Sequence, residues 1–118
     1  MSNSLFAVAF DCADAAALAR FWADVLGRQV AEGSTSERAV LLPGDDDTSG
    51  PRITFNKVPE PKTVKNRLHL DVISDNFDAE TERLLSLGAR RLRDVQRDKT
   101  RWITFADIEG NEFDLIAG

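Results

Sequence analysis

His69 is the only histidine in the chain. Proton transfer near neutral pH would fall most simply on it, because imidazole is the side chain whose ordinary charge change lies in that range. Asp71 and Asp114 are carboxylates that could orient its ring. Trp102 could stack on a ligand ring or a cation, and Arg52 could hold a ligand carboxylate through two parallel hydrogen bonds. Each has a plainer explanation. A lone histidine on a strand is more often structural, a tryptophan more often packs, and an arginine near an aspartate often makes only an ion pair. Cys12 is the single cysteine, so no intrachain disulfide can form. It lacks the His and cationic neighbours that activate a thiolate and reads as a small buried residue. Lys62, Lys65 and Arg67 could draw an anion, although a solvated linker is the simpler reading. There is no phosphate-cradling glycine motif, zinc-finger spacing or nucleophile elbow.

The bulk charge narrows the partners. Fifteen basic and twenty acidic residues among 118 give a net charge of −5. This argues against nucleic acid or an anionic membrane surface, both of which call for a cationic excess. Apolar residues at 42% and charged residues at 30% describe a globular chain. No apolar run approaches the roughly 20 residues that span a bilayer. The first six residues carry no basic group leading an apolar stretch, so the expectation is a cytoplasmic protein.

The elements that must position these residues come as a repeat. Asp14 precedes a segment ending in Leu26-Gly27, and Asp75 precedes a segment of the same length ending in Leu87-Gly88, 61 positions later. An aspartate can cap the free N–H groups of a helix start, and a glycine can take the left-handed conformation past its end. Leu18, Phe21, Trp22, Val25 and Leu26 recur on one face of the first helix. Phe77, Thr81, Leu84 and Leu85 do so on the second. An alternating strand precedes each helix. Further strands are expected at 28–32, 38–43 and 51–58, and again at 89–95, 101–107 and 111–117. Pro43 to Gly50, with Asp45, Asp46 and Asp47, reads as a mobile hairpin loop, and 59–66 as a linker. The expected organisation is one domain of 118 residues, with module one at about 1–58 and module two at about 67–118.

Strand alternation then sorts the faces. With Phe6, Val8, Phe10, Leu68, Leu70 and Val72 under the helices, together with Ile53, Phe55, Ile103, Phe105, Phe113 and Leu115, the opposite face is polar. It collects Arg52, Thr54, Asn56, His69, Asp71, Trp102, Thr104 and Asp114. This is the composition of a ligand face, although one side of many antiparallel sheets is simply solvated.

Three runs carry a family resemblance: LARFWADVLG (18–27), PRITFNKVPEPKTVKNRLHLD (51–71) and ADIEGNEFDL (106–115). They resemble the glyoxalase-like domain proteins of the vicinal oxygen chelate superfamily, which also includes bleomycin resistance proteins and dioxygenases. The resemblance covers nearly the whole chain. It implies an α+β fold of two βαβββ modules whose mixed sheets curl around a cavity. Metal-dependent members of the superfamily place ligands on the first and fourth strands of each module. On that pattern His69 and Asp114 fall at the ligand positions of module two, and an offset of 62 puts Ala7 and Arg52 at those of module one. Alanine has no donor and arginine keeps its proton, so neither can ligate. His69 and Asp114 suit Zn²⁺, Fe²⁺ or Mn²⁺, but two protein ligands are fewer than the three a catalytic zinc normally has.

The expectation is therefore a small-molecule-binding glyoxalase-like protein and homodimer, with no cofactor required and an incomplete divalent-metal site at His69 and Asp114. Arg52, Thr54, Asp71, Trp102 and Thr104 would contact the ligand, and His69 is the candidate catalytic group. Two alternatives stand beside it. One is a metal-dependent lyase, isomerase or dioxygenase using His69 and Asp114. The other is a non-catalytic interaction module.

Overall fold

The computed structural model describes residues 2–44 and 50–118; the expected loop aspartates Asp45, Asp46 and Asp47 lie outside the described residues. The chain divides into two compact units, Met1–Pro61 and Lys62–Gly118.

In the first unit, β1 (Ala7–Cys12) leads into α1 (Ala15–Leu26), followed by β2 (Arg38–Leu41) and β3 (Arg52–Lys57). The Asp14 carboxylate accepts a hydrogen bond from the Ala17 N–H, and Gly27 closes the helix at φ 64°, a left-handed conformation that glycine adopts without a Cβ penalty. The sheet runs β1-β3-β2, with β1 parallel to β3. Leu18, Phe21 and Trp22 of α1 are buried, as are Ile53 and Phe55 of β3. Phe10 joins this cluster, its ring centroid 5.8 Å from Trp22 and 5.4 Å from Phe55.

The second unit repeats the plan with a longer sheet. It contains β4 (Leu70–Ser74), α2 (Phe77–Ser86), β5 (Arg90–Arg97), β6 (Thr100–Ala106) and β7 (Glu112–Ala117), in the order β4-β7-β6-β5. Its core comprises Leu84, Ile103, Phe105, Phe113 and Leu115, each nearly or wholly excluded from solvent.

Four expectations need correction. The strand at 28–32 is reduced to a single bridge, Val30 to Leu41. Ala31 donates to the Val40 carbonyl and Leu42 to Gln29. The pairing ends there because Gly33 (φ 84°) and the Ser34 hydroxyl, which accepts from the Val40 N–H, turn the chain away. Asp75 is not the cap of the second helix. Asn76 holds that position without a side-chain bond, and its own N–H is taken by the Ser74 hydroxyl. Phe6 and Leu68 are each 70% exposed and precede β1 and β4, so the helix-covered faces of these strands do not include them. Leu85 sits at the edge of the α2 stripe and remains exposed.

The segment before β4 is fastened to β7. Asn66 donates its backbone N–H to the Glu112 carboxylate at 3.1 Å and accepts the Glu112 N–H on its side-chain oxygen at 2.8 Å. Lys62 Nζ reaches the same carboxylate at 3.2 Å. Burial alone would raise the Glu112 carboxyl, but the Asn66 N–H and the Lys62 ammonium outweigh it and hold Glu112 below its ordinary range.

Candidate functional site

Pairing across the second sheet arranges its polar face in rows. Asp71 stands opposite Asp114, Asp114 opposite Thr104, and Thr104 opposite Arg93, so one polar row crosses all four strands. Two residues along, Ile73, Ile116, Trp102 and Val95 form an apolar row on the same face. Side chains directly opposite on neighbouring strands share a face and interact. The sheet thus presents a polar lane beside a greasy one, a surface suited to a small molecule with both characters.

His69 precedes β4 and joins the polar row at its acidic end. Its Nδ1 lies 3.0 Å from Asp71 Oδ1 and 3.8 Å from Asp114 Oδ2. With the proton on Nδ1 donated to Asp71, Nε2 is left to accept a proton or to ligate. Thr104, only 4% exposed, donates its hydroxyl to Asp114 Oδ1 at 2.6 Å and fixes that carboxylate. His69, Asp71 and Asp114 each bring one donor atom within 4.8 Å of the other two. An imidazole with two carboxylates is a donor set compatible with a first-row divalent cation.

A hollow of about 240 Å³ opens beside this cluster, lined wholly by the second unit. His69, Trp102, Thr104 and Asp114 form part of its wall, and Lys65, Arg93 and Arg97 supply cations. The Arg97 guanidinium lies over the Trp102 ring, 5.6 Å from its centroid. On the other face of the same hairpin, Asp94 neutralises Arg91 and Arg101, at 3.0 and 2.9 Å. The Arg101 hydrogen bond, more than any other influence, holds the Asp94 carboxyl below its ordinary range.

The structure therefore brings His69, Asp71, Asp114, Thr104 and Trp102 onto one face of one unit. Arg52 and Thr54 share a face of β3 in the first unit, where the Arg52 guanidinium lies 4.4 Å from the Phe6 ring centroid. The offset of 62 does not survive the ladders. Ala7 pairs with Arg52, but the partner of Asp114 is Asp71 rather than His69. Sequence reasoning missed Arg93 and Arg97. The alternation Arg93, Val95, Arg97 was visible, but the face it occupies depends on a bulge that no residue type announces.

Two βαβββ-type units, each with its first and last strands parallel, define the vicinal oxygen chelate class of fold. Within it, this chain belongs to the Glyoxalase-like domain family, which matches residues 7–116. Among solved structures it is similar to a mutant of the fosfomycin resistance protein FosX from Listeria monocytogenes, complexed with Mn(II) and 1S,2S-dihydroxypropylphosphonic acid. That match has TM-score 0.80 and 20% identity, covering 100% of this chain and 92% of that one. It is also similar to a glyoxalase/bleomycin resistance protein/dioxygenase family enzyme from Burkholderia phytofirmans PsJN, with TM-score 0.74 and 21% identity over 98% of each chain. A third similar structure is the oxidase ChaP-H2, with TM-score 0.73 and 19% identity, covering 100% of this chain and 95% of that one. No curated protein matches the sequence.

Proposed function

We propose that this chain is a small-molecule-binding member of its family, its ligand lying in the hollow of the second unit. The observation that carries this reading is the convergence of His69, the Thr104–Asp114 pair and Trp102 on one opening of about 240 Å³. In this role Trp102 packs on the ligand body, and Asp114, its free oxygen oriented by Thr104, accepts a hydrogen bond. His69, steadied by Asp71, exchanges a hydrogen bond or a proton at Nε2. Arg52 and Thr54 remain candidate ligand-contacting residues of the first unit and are not among the residues that line this hollow. A homodimer and a cytoplasmic location belong to the same proposal; no helix among the described residues is long and apolar enough to cross a membrane.

An amide-resolved NMR titration of the full chain with a fragment set tests the pocket. Shifts are expected to cluster at His69, Trp102, Thr104 and Asp114, and to shrink in Trp102→Ala. Shifts confined to other surfaces, or none across the set, would remove the reading.

A second reading is favoured by the three donors within 4.8 Å. His69, Asp71 and Asp114 would hold a divalent cation, which would supply Lewis acidity toward a bound oxygen. The FosX complex with Mn(II) lends this a precedent in a similar fold. The chain would then be a metal-dependent lyase, isomerase or dioxygenase. Calorimetric titration with Mn²⁺ decides: one site per chain, lost in His69→Ala, supports this reading, and equal uptake by that variant excludes it.

A further inference from the structure

The arginines of β5 do not reach the hollow by simple alternation. Arg91 pairs with Phe105 on the helix-covered side, and alternation from there would send Leu92, Asp94 and Gln96 to the pocket side. Instead the register shifts between Arg91 and Arg93, so that Arg93 stands opposite Thr104 and Val95 opposite Trp102. Arg97 follows in the same phase and also lines the hollow. A bulge of one extra residue re-aims every later side chain on its strand. Here it exchanges a leucine, a carboxylate and an amide for two guanidinium groups flanking a valine.

The two faces also differ in how their cations are satisfied. Arg91 and Arg101 share Asp94 on the far side. On the pocket side, among the described residues, none of Arg93, Arg97 and Lys65 has a carboxylate within ion-pair distance. Of the two carboxylates in the wall, Glu112 is bound by Lys62 and Asn66, and Asp114 accepts from Thr104. A chain of net charge −5 thus gathers unpaired positive charge in one small opening beside a tryptophan.

Resting on the small-molecule reading above, we infer that this hollow selects an oxyanion, a carboxylate or phosphonate-type group held by Arg93 and Arg97 with Lys65 at the rim, whose planar or apolar body lies against Trp102 and Val95. Guanidinium groups suit such heads because their paired N–H donors match two oxygens at once. Arg97, already seated over the indole, is partly ordered before the ligand arrives.

The test uses the full chain and the fluorescence of Trp102, which is half-buried in the hollow, whereas Trp22 is 1% exposed in the core of the first unit. Phenylphosphonate, benzoate, benzamide and benzylammonium are titrated in turn. The anions are expected to bind at least roughly tenfold more tightly than the neutral and cationic rings, as one charge-assisted contact would give. Comparing phenylphosphonate with benzoate assigns the head group as dianion or carboxylate. Arg93→Gln with Arg97→Gln should abolish the preference, so that the anions bind no more tightly than benzamide does to the same variant, and Arg91→Gln should change nothing. Benzamide or benzylammonium binding as tightly as the anions would overturn the inference and leave the pocket reading standing. So would an anion preference that survives the double substitution. Failure of all four probes would remove both.

Discussion

Asp71 and Asp114 face one another directly across the parallel ladder of β4 and β7, with His69 Nδ1 3.0 Å from one and 3.8 Å from the other. One unit therefore holds an imidazole and two carboxylates without help from elsewhere in the chain. Like charges directly opposite repel, so the pair is eased by a cation that joins it. Asp71→Asn is expected to leave the protein folded at neutral pH with its melting temperature equal or higher. A clear loss of stability would show that Asp71 contributes more through His69 than it costs against Asp114.

Thr104 and Asp114 make the best-protected polar contact of the site. Thr104→Val keeps the shape and removes the hydroxyl, leaving one carboxylate oxygen without its donor. Urea denaturation should show a loss of about 1–3 kcal/mol, with Thr104→Ser recovering much of it. No loss in Thr104→Val would mean that the 2.6 Å contact is not made in solution.

Glu112 gives a pH dependence of defined sign. Its carboxyl is held below the ordinary range near 4.5. A depressed carboxylate contributes stability that is present above its ordinary value and lost as the pH falls toward its folded value. The wild type should therefore lose stability faster than Glu112→Gln on acidification below about pH 4.5, and the two curves should converge in acid. Parallel curves would show that the Asn66 and Lys62 contacts carry no protonation linkage.

Two phenylalanines four residues apart should behave differently. Phe10 is half-buried and packs on Trp22 and Phe55, so Phe10→Ala should cost about 2–3 kcal/mol. Phe6 is exposed and touches the Arg52 guanidinium, so Phe6→Ala should cost about 1 kcal/mol or less. Comparable losses in chemical denaturation would mean that Phe6 is covered by another surface.

Metal removal separates the two functional readings. If the hollow binds its ligand through side chains alone, phenylphosphonate affinity is expected to be unchanged after exhaustive chelation with EDTA. Loss of that affinity, restored by added Mn²⁺, would move the conclusion to the metal-dependent reading.

Much of this architecture was legible because it rests on strong local chemistry. Asp14 and Gly27 mark the first helix by capping physics, and the apolar partners Ile53, Phe55, Ile103, Phe105, Phe113 and Leu115 show their face by simple alternation. His69, Asp71 and Asp114 could be placed together on the same logic. What escaped depends on counting across strands. The shortened pairing at Val30 follows from a turn built by Gly33 and Ser34. The facing of Arg93 and Arg97 follows from one unpaired residue, which propensity does not record. The cap at Asn76 was missed because Asp75 and Asn76 are both good candidates and only Ser74 decides between them.

The register break at Leu92 has an evolutionary corollary. Since it alone determines which half of β5 looks into the opening, a relative that shifted or healed it could replace two guanidinium groups with Asp94 and Gln96 without changing a single one of those amino acids. Insertions and deletions in this hairpin could then invert the charge preference of a binding site in one step, where point substitution would need several.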